Sequence, residues 1–310
     1  MRILIVAKYN AGHFSPFVME QIFALRDEGV EVDTYGIEGK GVFGYLDNIK
    51  GIKRKVHKYR PDLIHAHYGL SGLCANLQRR IPVITTYHGS DVHSGGWLLI
   101  LSQIAMRLSA YNIFVSRDLL KMAGYKQNNS AIIPCGVSFN DMPMIDRDVA
   151  KKEIKNKSTI VLFAGAFTNE IKNAILAKEV MKYVPNAELI EMAGYSRRQI
   201  NILMNAADCL LMTSHREGSP QVIKEAMACG TPIVSVDVGD VKEVIGNTMG
   251  CFIAERNAND IAEKVKQALA LKEKTNGRKR IIGLGLSNDL VAKKIVSIYN
   301  DVLKKVADAK

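Results

Sequence analysis

Two carboxylates bracket the stretch Glu217-Gly218-Ser219-Pro220-Gln221-Val222-Ile223-Lys224-Glu225. Carboxylate oxygens accept hydrogen bonds from the hydroxyls of a sugar or a ribose. The amides of a glycine and of a helix start favour an anion beside them. Together these are the contacts a sugar diphosphate requires. The plainer alternative has Glu217 capping a loop and Glu225 lying solvated on a helix surface. Other groups able to do chemistry are His88 in Tyr87-His88-Gly89-Ser90-Asp91, the pair His65 and His67, and Lys172. A neutral imidazole such as that of His88 offers one donor and one acceptor, although a packed, satisfied histidine is the competing reading. His65 and His67 suggest a metal, but no cysteine or carboxylate cluster completes a site. No D-x-D triplet closes an apolar strand, so no metal is expected.

The elements that position the two glutamates follow from the flanking pattern. Ala207–Met212 is a short apolar run without polar alternation, which predicts a buried parallel strand. Ser219 is expected as the N-cap and Pro220 as the first helical residue. Val222, Ile223, Ala226 and Met227 form the apolar stripe of the helix, and Gly230 is its left-handed stop. Ile233–Val236 is a second buried strand. In this βαβ unit Glu217 lies just beyond a strand, and Glu225 lies about a turn and a half into the helix. Ligands of open parallel sheets bind at such carboxyl ends of strands.

The whole chain alternates strands and helices in two series that part near residue 140. This predicts an α/β protein of two doubly wound, Rossmann-like domains facing a cleft. The expected boundaries are 1–140 and 141–288, with the helix at about 289–310 packing back on the first domain. A length of 310 residues with 47% hydrophobic content suffices for two cores. No apolar run reaches transmembrane length, and Met1–Val6 reads as a first strand rather than a secretion signal. The five scattered cysteines read as reduced, small core residues of a cytoplasmic protein. A net charge of +11 admits nucleic acid, an anionic membrane or anionic substrates without choosing among them. After the first strand there is no G-x-G-x-x-G dinucleotide fingerprint; His13 is expected to cap the helix that begins at Pro16. Gly36 to Gly44 reads as a flexible connection and Tyr45–Tyr59 as one basic helix.

E-G-S-P-Q-V-I-K-E resembles the E-x7-E signature of glycosyltransferase family 4, retaining enzymes with the two-domain B-type fold. The flanking A-A-D-C-L-L-M-T-S, E-A-M-A-C-G-T-P-I-V and V-G-D-V-K-E-V-I-G are similar to that family too, so the match is nearly continuous from Asn205 to Gly250. P-D-L-I-H-A-H, T-Y-H-G-S-D and I-P-C-G-V carry the resemblance through the first domain. It implies a metal-independent, retaining hexosyltransferase with a nucleotide-sugar donor as substrate and no cofactor. By this resemblance Glu225 meets the donor ribose, Glu217 the sugar, Gly218 and Ser219 supply amides near the donor, and His88 contacts the sugar near the reacting carbon. Gly12 aligns with a glycine loop close to the acceptor and to the donor phosphates. The family's G-R-x-x-x-x-K-G pattern is broken, since Ala166 stands where an arginine is usual and Lys172 comes one residue late. Lys172 is left to neutralise the diphosphate.

The resemblance further implies a saccharide or lipid-linked saccharide acceptor, envelope or exopolysaccharide biosynthesis, and no nucleic acid partner. An anionic membrane surface is a candidate partner for two features of the first domain. One is the basic helix with Lys50, Lys53, Arg54, Lys55, His57 and Lys58; the other is Trp97-Leu98-Leu99-Ile100-Leu101. The expected location is cytoplasmic, with peripheral attachment at the inner face of the membrane as its variant. Two other readings stay open here: a sugar-nucleotide epimerase of the same fold, and a non-catalytic nucleotide-sugar binding protein.

Overall fold

Runs of Val, Ile and Leu with no polar alternation have no solvent-facing side, so they form strands covered by helices on both faces. The computed structural model describes residues 1–10, 12–39 and 41–308. It divides into two units, Met1–Gly136 with Asn288–Lys310, and Val137–Ser287.

Unit 1 runs β1 Arg2–Lys8, α1 Pro16–Asp27, β2 Glu31–Ile37, α2 Gly41–Leu46, α3 Asn48–Tyr59, β3 Leu63–His67, α4 Gly69–Asn76, β4 Val83–Tyr87, α5 Ser90–His93, α6 Gly96–Leu108, β5 Tyr111–Phe114, α7 Arg117–Ala123 and β6 Ser130–Ile132. Its strands lie parallel in the order β2-β1-β3-β4-β5-β6. Unit 2 runs α8 Arg147–Glu153, β7 Thr159–Phe163, a 3-10 turn Glu170–Lys172, α9 Ala174–Met181, β8 Ala187–Glu191, α10 Arg197–Ala206, β9 Cys209–Met212, α11 Gln221–Cys229, β10 Ile233–Val236, α12 Val241–Ile245, β11 Cys251–Ala254, α13 Ala258–Ala270 and α14 Gly277–Gly283. These strands are also parallel, in the order β11-β10-β9-β7-β8. The last helix, α15 Asn288–Asp308, belongs to unit 1, where Val291, Ile295, Tyr299 and Val302 share a core with α1.

Right-handed crossovers decide which helices share a face. The chain moves one way from β1 through α1 to β2 and the other way from β2 onward. Helices α1 and α15 therefore cover one face of the unit 1 sheet. On the other face α4 packs against both α3 and α6. The expected loop from Gly36 to Gly44 is shorter than the glycine content suggests, because β2 continues through Ile37 and α2 begins at Gly41. The basic helix likewise starts at Asn48 instead of Tyr45, with α2 before it. Gly39 and Gly44 approach so closely that a Cβ on Gly39 would meet the Gly44 Cα at 2.9 Å, which explains why this corner holds glycines.

Candidate active site

In unit 2 the sheet has its switch point between β7 and β9: the chain leaves β7 for β8 on one side and returns to β9 on the other. In open parallel sheets the loops at such a point diverge, and ligands bind between them. Lys172 comes from the first loop and Glu217 from the second, and Lys172 Nζ donates to Glu217 Oε1 at 2.7 Å. The pair is largely withdrawn from solvent. Gly165 makes room for it, because a Cβ there would meet the Lys172 Cγ at 2.7 Å. The loop backbone is tied down on both sides. Thr213 Oγ1 donates to the Lys172 carbonyl at 3.0 Å, and the Phe167 amide donates to Glu191 Oε2 at 2.6 Å.

Glu225 lies on α11 with only 6% of its surface exposed, so the solvated-surface alternative fails. Its Oε1 accepts from Arg197 Nη1 at 2.7 Å. Arg197 opens α10, whose N-terminus is fixed by a capping box between Ser196 and Gln199. Arg197 thus reaches Glu225 from the helix that follows β8.

Ser219 corrects an expectation. The helix begins one residue later than foreseen, Pro220 occupies the cap position, and no side chain caps it. The Ser219 hydroxyl donates to Asp240 Oδ2 instead and accepts from Lys224 Nζ at 2.7 Å. Lys224 is fully buried. Burial pushes the Asp240 carboxyl above its ordinary range, against the pull of nearby Lys224 and the Ser219 hydroxyl. A buried carboxylate and a buried ammonium compete for the serine more strongly than a helix end does. Gly218 is buried against Gly239, where a Cβ would meet the Gly218 carbonyl oxygen at 2.7 Å. The V-G-D segment therefore buttresses the glutamate loop.

In unit 1 the histidines form a column on the α1 and α15 side of the sheet. Alternate residues of β3 share a face, so the His65 and His67 rings stack with centroids 4.8 Å apart, and the His67 and His88 rings stack at 5.2 Å. His65 shares hydrogen bonds with the Tyr299 hydroxyl at 2.6 Å and the Thr86 hydroxyl at 2.7 Å. His67 Nδ1 and His88 Nε2 share one at 2.9 Å. Burial lowers the pKa of His65 well below its ordinary value and that of His67 to about 3, so both imidazoles stay neutral. His88 leaves the carboxyl end of β4, flanked by Phe17 and Tyr68 with centroids at 4.6 and 4.8 Å. Among the described residues no group of three or more His, Cys, Asp or Glu is arranged to hold a metal ion.

Asp91 closes this corner. Its carboxylate accepts from the amides of Gly89 at 2.8 Å, Gly69 at 3.2 Å and His88 at 3.2 Å. Burial raises its pKa to about 6 against those bonds. His13 does not cap α1: its Nδ1 donates to the Phe14 carbonyl at 3.2 Å, and the cap position is Ser15. Gly12 takes φ +85°, a turn conformation that favours glycine, with open space where a Cβ would stand. Thus Glu217, Gly218, Ser219, Glu225 and Lys172 all belong to unit 2, where Lys172 pairs with Glu217, whereas His88 and Gly12 belong to unit 1. Arg197 and Lys224 had no role in the sequence reading, and His67 was weighed there only as a metal ligand; the contacts of Arg197 to Glu225 and of His67 to His88 join elements that no local motif links.

Two family models match the chain: Glycosyltransferase Family 4 over residues 17–140, and Glycosyl transferases group 1 over residues 186–282. A Bacillus subtilis glycosyltransferase named for teichuronic acid biosynthesis is 25% identical over 240 residues, a match spanning 66% of this chain and 60% of that protein. Among solved structures, sucrose-phosphate synthase from Thermosynechococcus elongatus superposes with a TM-score of 0.85 at 18% identity, over 98% of this chain and 99% of the other. Anabaena HepE in complex with UDP gives 0.74 at 15% identity, over 97% and 100%. Two parallel-sheet Rossmann-like units and these matches agree on one assignment. The chain belongs to the group 1 and family 4 glycosyltransferases, of the B-type fold.

Proposed function

We propose that the chain is a retaining, metal-independent hexosyltransferase that uses a nucleotide-sugar donor, in envelope or exopolysaccharide biosynthesis. The observation that carries the reading is the Lys172–Glu217 pair at the switch point of unit 2, with Arg197–Glu225 on the adjoining helices. An ammonium and a guanidinium suit a diphosphate, and the two carboxylates suit hydroxyls. In this reading Glu225 accepts from the donor ribose, Glu217 from the sugar, and Lys172 neutralises the leaving diphosphate. The Gly218 and Ser219 amides adjoin the donor, and Gly12 lies near its phosphates. His88 contacts the sugar near the reacting carbon, and its neutral neighbour His67 allows a hydrogen bond there without a competing charge. The relative solved with UDP supports a uridine donor.

Departure of the diphosphate and attack of the acceptor hydroxyl occur on one face of the sugar, so no protein nucleophile is required. The protein supplies position and charge stabilisation. The reading is tested by the first-formed product of an α-linked donor, followed by the anomeric coupling in proton NMR. An α product is expected; a β product would remove the retaining mechanism.

A second element of the reading is a peripheral stay at an anionic membrane. Trp97, Ile100, Ile104 and Leu108 follow helical spacing along α6 and are exposed, Trp97 by 54% and Ile100 by 57%. The exposed lysines of α3 lie on the same sheet face, across α4. No helix among the described residues is long and apolar enough to cross a membrane.

A further inference from the structure

The loop that carries Glu217 leaves β9 through Thr213, Ser214 and His215. Buried backbone carbonyls need partners. β9 ends at Met212, and the carbonyls of these three residues find their partner in one side chain. Arg256 Nη1 donates to the Thr213 carbonyl at 3.3 Å and to the Ser214 carbonyl at 2.7 Å, and Nη2 donates to the His215 carbonyl at 3.4 Å. The guanidinium forms no ion pair among the described residues, although Asp237, Glu255 and Asp260 line the same cavity of about 480 Å3. Arg256 stands between β11 and α13, and the strand order β11-β10-β9 makes it reach across the end of β10. Its own backbone is fixed by its neighbours. The Glu255 amide donates to Asp260 Oδ2 at 2.8 Å, and Asn257 Oδ1 accepts from the Asp260 amide at 2.9 Å as the cap of α13. A planar fork on a fixed backbone is a rigid brace.

The braced segment also holds the Lys172 turn. Thr213 Oγ1 donates to the carbonyls of Lys172 and Asn173 at 3.0 and 2.9 Å, and the His215 amide donates to the Ile171 carbonyl at 2.8 Å. Ser214 adds nothing through its side chain, since its buried hydroxyl has no partner among the described residues. Thr213 and His215 are thus tied both to the Lys172 turn and to Arg256, and Glu217 follows two residues later. The 2.7 Å contact between Lys172 and Glu217 depends on where this segment lies.

We propose that Arg256 is a positioning residue for the donor site: it acts from outside the site and sets the Lys172–Glu217 pair by holding the carbonyls of Thr213, Ser214 and His215. The proposal rests on the transferase reading for what that pair binds. The test is a double-mutant cycle read by calorimetry on the full chain with UDP, ADP, GDP and CDP, the tightest of them serving as the probe. Arg256 is exposed, so its replacement leaves the core of unit 2 untouched, and the melting temperature of each variant checks this. Arg256→Met should weaken the probe about tenfold, within the range by which residues of one network couple. Arg256→Lys keeps a cation with three donors and should retain most of the affinity. In a Lys172→Met background the same Arg256→Met change should cost less than about twofold, because the group that it positions is gone. Arg256→Gln, which keeps two donors, stands in for Arg256→Met if that variant unfolds. Wild-type affinity in the Arg256→Met protein, the same loss with and without Lys172, or a loss that Arg256→Lys does not relieve would each overturn the proposal and leave the transferase reading in place. Failure of all four nucleoside diphosphates to bind the wild-type chain would instead remove that reading, and the role of Arg256 with it.

Discussion

His67 Nδ1 and His88 Nε2 lie 2.9 Å apart, their rings stacked, with His67 shut away from solvent. A single proton serves this contact. Burial lowers the His67 pKa to about 3, so the neighbour of His88 carries no charge near neutral pH. His67 is a positioning residue: it fixes the orientation and tautomer of the imidazole that leaves β4.

The arrangement has a pH signature. The ordinary histidine value is 6.5, and His67 keeps its folded value near 3. The unfolded chain therefore binds a proton that the folded chain refuses, and stability present above about pH 6.5 is lost as pH falls toward 3. The slope is about 1.4 kcal/mol per pH unit for each such histidine. His65 acts in the same sense, while Asp91, raised to about 6, acts in the opposite sense between its two values. The comparison of wild type with His67→Gln isolates one proton. Denaturation followed by Trp97, the single tryptophan and a reporter on unit 1, should show a shallower acid slope in the variant. Parallel slopes would mean that His67 titrates normally.

Lys172 and Glu217 should separate in kinetics although they touch. Lys172→Met removes the cation expected at the diphosphate and should weaken nucleoside diphosphate binding by about 1.5–3 kcal/mol. Glu217→Gln should lower turnover about a hundredfold with nucleotide affinity nearly intact, as for a group acting at the sugar. Calorimetry together with initial rates decides this. A Glu217→Gln protein that turns over normally at saturation would dismiss the role given to that residue.

The membrane element is checked by co-sedimentation with vesicles, with and without phosphatidylglycerol, at low and high salt. Each lysine near an anionic surface contributes about 1 kcal/mol, so binding should require the anionic lipid and fall with salt. Ile100→Glu with Ile104→Glu should abolish it by placing charges on the apolar stripe of α6. Equal partitioning onto neutral and anionic vesicles would rule out the electrostatic anchor.

Much of the fold was legible in the sequence because its signals are local. Buried strands such as Cys209–Met212 read as unbroken apolar runs, and Gly230 stops α11 in the left-handed conformation, with φ +71°. Glu217 and Glu225 could be placed beyond a strand and within a helix for the same reason. What escaped depends on which elements meet. Arg197 lies 28 residues before Glu225 in the chain, and the Tyr299 contact to His65 spans 234. The fate of Ser219 was misread because its cap propensity is local and the pull of buried Asp240 and Lys224 is not. The exposure of the α6 stripe was equally unreadable, since Trp97–Leu101 fits a core helix as well as a surface one.

The most direct measurement is the affinity of the wild-type chain and Glu225→Ala for a panel of nucleoside diphosphates by calorimetry. The account holds that a donor nucleotide binds in unit 2 with its ribose on Glu225, which Arg197 orients. One nucleoside diphosphate should bind the wild type clearly better than the rest. Glu225→Ala should weaken it by about 1–3 kcal/mol, the usual loss for a charge-assisted hydrogen bond. Unchanged affinity in a folded Glu225→Ala protein, or no binding of any nucleoside diphosphate to the wild type, would contradict the account.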